Sequence, residues 1–177
     1  EIIDEKGGID PSYWRAPTLL STILSLSNLE FIINQFRKIE NPTKPIKVDS
    51  ISGVAMFYQT SIIKKIGLFN ESLFWDEDID FCLRAEKKGY NIVFFPHTHL
   101  IHKKGKSADT NQKVAIANQI LSKIKIFQIH HSLINQIIIK TFCLAIIPIK
   151  ALLFLFMSLW KPLFLKKAAA YFFTWRL

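Results

Sequence analysis

The sequence predicts a mixed α/β domain over residues 1–108 followed by a basic, apolar helical tail over residues 109–177. Three observations carry this. Between Val48 and Phe95 the chain reads strand, helix, helix, strand, an order that belongs to α/β rather than all-α proteins. Residues 1–110 hold 14 Lys and Arg against 14 Asp and Glu, whereas residues 111–177 hold nine Lys and Arg and no acid, so the whole net charge of +9 sits in the tail. That same stretch is also the most apolar of the 177 residues, with runs such as Ile137–Ile139 and Leu152–Met157.

Residues 1–17 mix Gly7, Gly8, Pro11 and Pro17 with charges and read as irregular chain. From Thr18 to Ile39 apolar residues recur at near-helical spacing (Leu20, Ile23, Leu24, Phe31, Ile32, Phe36), which predicts one or two helices. Asn41-Pro42-Thr43-Lys44-Pro45 breaks them. Val48–Tyr58 is short and rich in β-formers around Gly53, and it predicts one buried strand. Thr60 or Ser61 then caps a short helix through Lys65, closed by Gly67.

Residues 76–88 open on carboxylates and end on Lys87-Lys88-Gly89, a charge order that suits a helix dipole and a glycine stop. Tyr90–Phe95 reads as an apolar strand ended by Pro96, with a further short strand at Thr98–His102. Residues 111–130 predict an amphipathic helix. Ser132–Leu165 is almost continuously apolar, broken by Lys140, Pro148, Lys150, Lys161 and Pro162. Thr141–Trp160 reaches the roughly 20 residues that a spanning helix needs. Pro148 and Lys150 fall near its middle, where a cation is costly, so interfacial or re-entrant helices are expected.

Cations interleaved with long apolar runs suit an anionic membrane surface and not a phosphate backbone, so membrane association is expected and nucleic acid is not. Cys82 and Cys143 lie far apart without a CxxC partner, which argues for neither a disulfide framework nor a zinc knuckle and fits a reducing, cytosolic face.

The chemistry-bearing residues concentrate at Asp76-Glu77-Asp78-Ile79-Asp80, four carboxylates in five residues at a predicted helix start. On a helix Glu77, Asp80 and Arg84 share a face, so Asp80 and Arg84 can pair, while Asp78 points about 100° away from Glu77 and is free to face a cleft. Crowding raises the pKa of at least one of these acids unless cations or helix amides compensate, and a poised carboxylate is what general-base chemistry requires. A solvated acidic helix start is the plainer account of the same spacing. The two Asp-x-Asp matches, Asp76 to Asp78 and Asp78 to Asp80, are weak metal motifs. His97, His99 and His102 form a second cluster, but in extended chain His102 points away from the other two, so three ligands on one metal are not expected.

Taken in order, Ser52-Gly53-Val54-Ala55-Met56, Gly67-Leu68-Phe69-Asn70-Glu71, Phe74-Trp75-Asp76-Glu77-Asp78-Ile79-Asp80-Phe81-Cys82-Leu83-Arg84, Gly89-Tyr90, Pro96 and His102 resemble the acceptor-side half of family 2 glycosyltransferases, especially the rhamnosyltransferase-like group. The likeness is strongest from Val48 to Ser107 and looser from Ile2 to Pro17. It implies a partial GT-A-type, Rossmann-like domain. It also implies an inverting transfer in which Asp78, paired with Glu77, deprotonates the acceptor hydroxyl.

By the same resemblance Ser52, Gly53, Trp75, Asp80 and Arg84 lie on the substrate side of the site, with Asp80 and Arg84 also buttressing the helix. His102 assists a divalent metal (Mg2+ or Mn2+) or the diphosphate. The implied partners are a nucleotide-sugar donor and a lipid-linked or polysaccharide acceptor in cell-envelope glycan synthesis, at the cytoplasmic face of the membrane, with the chain peripheral or monotopic.

Asn70 departs from the family, which usually has Asp there. The family's opening strand, nucleotide-binding loop and metal-binding Asp-x-Asp are also missing from these residues, and the pair around Asp78 does not replace them. This chain alone is therefore expected to bind nucleotide-sugar weakly and transfer little. The competing readings are a non-catalytic membrane or interaction module left by truncation, and metal-dependent phosphohydrolysis by the carboxylates and histidines.

Overall fold

The computed structural model describes residues 1–29, 31–32, 42–103 and 112–175. Its class is mixed α/β with small sheets, consistent with a partial GT-A domain followed by a helical tail. Two compact units form. One comprises Glu1–Pro17 with the described part of Arg37–Lys104, and the other the described parts of Thr18–Phe36 and Gly105–Leu177. The domain boundary expected at 108/109 and the later part of the helix expected through Ile39 lie outside the described residues.

The first unit holds three small sheets. Strand β1 (Ile2–Ile3) pairs antiparallel with β2 (Ile9–Asp10) and parallel with β7 (Leu100–Ile101). Strand β3 (Tyr13–Trp14) pairs antiparallel with β5 (Ser50–Ile51), and β4 (Ile46–Val48) antiparallel with β6 (Ile92–Phe94). Residues 1–17 therefore contribute three strands where irregular chain was expected. Their turn is organised by Asp4, whose Oδ1 accepts from the N–H groups of Lys6 and Gly8 at 2.8 and 2.7 Å.

The single strand expected over Val48–Tyr58 is instead β4, β5 and a 3-10 turn at Gly53–Ala55. Two side chains impose the breaks. Asp49 Oδ2 leaves the strand direction to accept from the Ala16 N–H at 2.7 Å, and Ser52 Oγ caps the turn by accepting from the Val54 N–H at 3.3 Å.

Helix α2 (Thr60–Ile66) follows. Its cap position is Gln59 rather than Thr60 or Ser61, and Gln59 makes no side-chain capping bond; Gly67 closes the helix as expected. Helix α3 (Glu77–Lys87) carries Glu77, Asp78 and Asp80 in its first turn and Arg84 and Lys87 in its last, which complements the helix dipole. Gly89, at φ +83°, ends it. Its inner face buries Phe81, Cys82, Leu83 and Ala85, with Phe81 stacked on Phe69 at 4.6 Å and tilted against Tyr58 at 5.1 Å.

In the second unit α1 (Leu19–Leu26) starts from a reciprocal cap between Thr18 and Ser21. Helices α4 (Gln112–His130), α5 (Leu133–Met157) and α6 (Leu163–Trp175) belong to it as well. Leu26, Ile120, Phe127, Ile139, Cys143, Ile147, Ala151 and Tyr171 form its core. Helix α4 is not the amphipathic helix expected, because its apolar residues are spread around the axis rather than gathered on one face. Pro148 does not break α5, which runs through it without interruption.

Candidate active site

The first turn of α3 meets the turn after β5. Asp78 Oδ2 accepts from the Gly53 N–H at 2.9 Å, and its Oδ1 accepts from the Ile79 N–H at 2.8 Å. The approach is close but not crowded: a Cβ on Gly53 would stand 3.4 Å from the Asp78 Cβ, in ordinary van der Waals contact. Ser52 sets the position of Gly53. It is buried, its N–H donates to the Ser12 carbonyl at 3.0 Å, and its own carbonyl accepts from Ala55 at 3.2 Å. Ser12 is tied down in turn, since its Oγ accepts from the Ile2 N–H at 2.8 Å and donates to the Asp10 carbonyl at 3.0 Å.

The other face of α3 is anchored. Asp80 is fully buried, and its Oδ2 accepts from Arg84 Nε at 2.9 Å, the pairing that their spacing allows. The Arg84 guanidinium also donates to the carbonyls of Ile66 and, at 2.9 Å, Leu68, and lies 5.4 Å from the Phe81 ring. One arginine thus joins the end of α2 to α3 and fixes the rotation that presents Asp78 to Gly53. Asp76, before the helix, has φ +64°, a conformation that aspartate tolerates better than most residues.

The crowded acids differ in environment. Burial pushes the Glu77 carboxyl above the usual range, and the neighbouring charges of Asp78 and Asp76 add to the shift against a lowering backbone hydrogen bond. Trp75 is half-buried beside them, its ring centre 6.3 Å from that of Phe74 in an edge-on arrangement.

Phe81, Cys82 and Ala85 continue the α3 face that carries Asp78, at the spacings i+3, i+4 and i+7. Together with Tyr58, Gln59 and Tyr90 they line a cavity of about 250 Å³. Burial raises the Cys82 thiol to about 11, despite a hydrogen bond with the Ile51 backbone.

The histidines stay apart. His99 Nδ1 meets Glu1 Oε2 at 3.0 Å and His97 packs edge-on against Phe95. The His102 N–H donates to the Ile3 carbonyl at 2.9 Å, extending the β1–β7 pairing. Among the described residues no group of three or more His, Cys, Asp or Glu is arranged to hold a metal, so these residues do not by themselves fit the divalent ion expected with His102.

Sequence reasoning brought Ser52, Gly53, Glu77, Asp78, Asp80 and Arg84 forward, and the structure gathers them around one helix start. It missed Ser12, Phe81 and the cavity-lining role of Cys82. For Ser12 no local signal exists. For Phe81 and Cys82 the helical spacing from Asp78 was available.

A family model described as glycosyl transferase family group 2 matches residues 21–176. No curated protein and no solved structure matches the chain.

Proposed function

The chain belongs to glycosyl transferase family group 2, and from that membership we propose that it carries the acceptor side of an inverting glycosyltransferase whose base is Asp78. The family implies a nucleotide-sugar donor and an acceptor. In this reading the acceptor is lipid-linked or a polysaccharide, the enzyme is rhamnosyltransferase-like, and it works in cell-envelope glycan synthesis.

The observation that carries the assignment is the Asp78 carboxylate itself. It sits at the start of a rigidly anchored helix, on the amide of Gly53. Asp78 takes the proton of the acceptor hydroxyl as that oxygen bonds to the anomeric carbon, and the bond from that carbon to the nucleoside diphosphate breaks on the opposite face. The Gly53 N–H holds one carboxylate oxygen in place. Ser52 and Gly53 shape the cleft, with Trp75 at its edge, and Asp80 and Arg84 act by positioning the helix. Divalent metals are common in the family, but no step is assigned here to such an ion or to His102.

Membrane association is part of the same reading. Helix α5 is long and apolar enough to cross a bilayer, and only 28% of its most apolar stretch is buried, whereas the core helix of a soluble protein is mostly buried. The nine cations of residues 111–177, with no acid among them, fit an anionic cytoplasmic leaflet, and a peripheral or monotopic placement is proposed.

The test is Asp78→Asn, made in the polypeptide as the cell produces it and assayed for sugar transfer in membranes. The amide oxygen of asparagine still accepts from Gly53, so the fold persists while proton abstraction is lost. Transfer is expected to fall by about 10²–10⁴-fold with acceptor affinity retained. Unchanged transfer removes Asp78 as the base.

A further inference from the structure

Within the long apolar helix α5, Lys150 is 7% exposed. Its ammonium donates to Asn28 Oδ1 at 2.9 Å and to the Tyr171 hydroxyl at 3.4 Å, and it lies 5.3 Å from the Tyr171 ring centre. The first contact spans 122 residues and joins α1 to α5; the others join α5 to α6.

Asn28 is shaped for this. It follows the cap residue Ser27, takes φ +60°, and so stands at the negative end of the α1 dipole, where a cation is favoured. The side of α5 turned away from Lys150 is apolar around the same level, with Leu144, Ile149, Leu152 and Phe156 each more than half exposed. Polar groups inside and a continuous apolar surface outside are the arrangement that a hydrocarbon solvent favours.

We propose that Asn28, Lys150 and Tyr171 form a polar lock that lets α5 enter the acyl region of a bilayer only together with α1 and α6, by keeping the one cation of its apolar second half away from lipid. The proposal rests on the membrane reading given above. It explains why a lysine near the middle of an apolar helix is compatible with insertion, and it gives α1, which precedes α5 by more than a hundred residues, a part in anchoring.

The experiment uses the whole chain with vesicles of phosphatidylethanolamine and phosphatidylglycerol, floated and then washed with high salt and urea. The wild type and Lys150→Met are expected to stay with the vesicles. Asn28→Leu, which leaves the ammonium in apolar surroundings without its amide acceptor, is expected to lower the retained fraction about fivefold or more. Adding Lys150→Met to Asn28→Leu restores retention, which shows that the loss comes from the buried cation and not from misfolding. Retention of Asn28→Leu at the wild-type level, or failure of the double variant to recover, overturns the lock while the membrane reading stands. A wild type that does not float overturns the membrane reading and the lock with it.

Discussion

The backbone N–H of Gly53 donates to Oδ2 of Asp78 at 2.9 Å across 25 residues of sequence, so the turn after β5 and the first turn of α3 are built as one object. Because a Cβ on Gly53 would reach only ordinary contact, 3.4 Å from the Asp78 Cβ, Gly53→Ala is expected to cost under about 1 kcal/mol. The γ-carbons of Gly53→Val have to occupy the space of the carboxylate. That variant is expected to fold but to lose about 10²-fold in sugar transfer through displacement of Asp78. Thermal melts and membrane transfer assays on the two variants separate the effects.

Arg84 holds a buried carboxylate and the end of a neighbouring helix with one planar group. Arg84→Ala leaves the Asp80 charge buried without this partner and is expected to destabilise the first unit by about 3 kcal/mol. Arg84→Lys keeps the charge but not the fork that reaches Asp80 and Leu68 together, so it should recover less than half of that loss. Urea unfolding followed by the fluorescence of Trp75 and its neighbours measures both.

How much of this was legible in the sequence depends on how local each cause is. Helix α3 could be read because its acidic start, basic end and glycine stop lie within 14 residues, from Asp76 to Gly89, and all agree. The two-residue strands β1, β2 and β3 could not, since two residues carry no periodicity and their pairing partners lie as far away as Leu100. The break inside Val48–Tyr58 comes from Asp49 and Ser52 bonding to distant or turn amides, which composition does not reveal. Pro148 interrupts the apolar run of the sequence but not α5, because a proline costs one helical bond and packing along the rest of the helix outweighs it. For the site, residue types and order pointed to Asp78, while the Ser12–Ser52 tether that positions Gly53 needed the fold.

Glu77 gives the site a pH signature. Its carboxyl is raised in the folded chain by burial, then by Asp78 and Asp76, so the folded state holds this proton more tightly than the unfolded chain does. Stability from this group is therefore fully present below the ordinary carboxyl value of 4.5 and is lost as pH rises through the raised folded value. Glu77→Gln removes that dependence. Melting temperatures of wild type and variant, compared from about pH 4 to about pH 8, are expected to separate in favour of the variant as pH rises. Parallel curves would show that Glu77 titrates as it does in solvent.

Cys82 tests whether the α3 face beyond Asp78 is as closed as its contacts imply. The thiol is 1% exposed and burial raises it to about 11, so at neutral pH the nucleophilic thiolate is scarcer than in an exposed cysteine. Alkylation by iodoacetamide, followed by mass spectrometry, is expected to be at least about 100-fold slower in the folded chain than in urea, with lost access adding to the lost thiolate. The cavity beside Cys82 sharpens the test, because a small reagent that entered it would find the sulfur. Fast labelling at Cys82 in folded protein would mean that this face of α3 is open to small molecules, through the cavity or by movement of α3 away from β5.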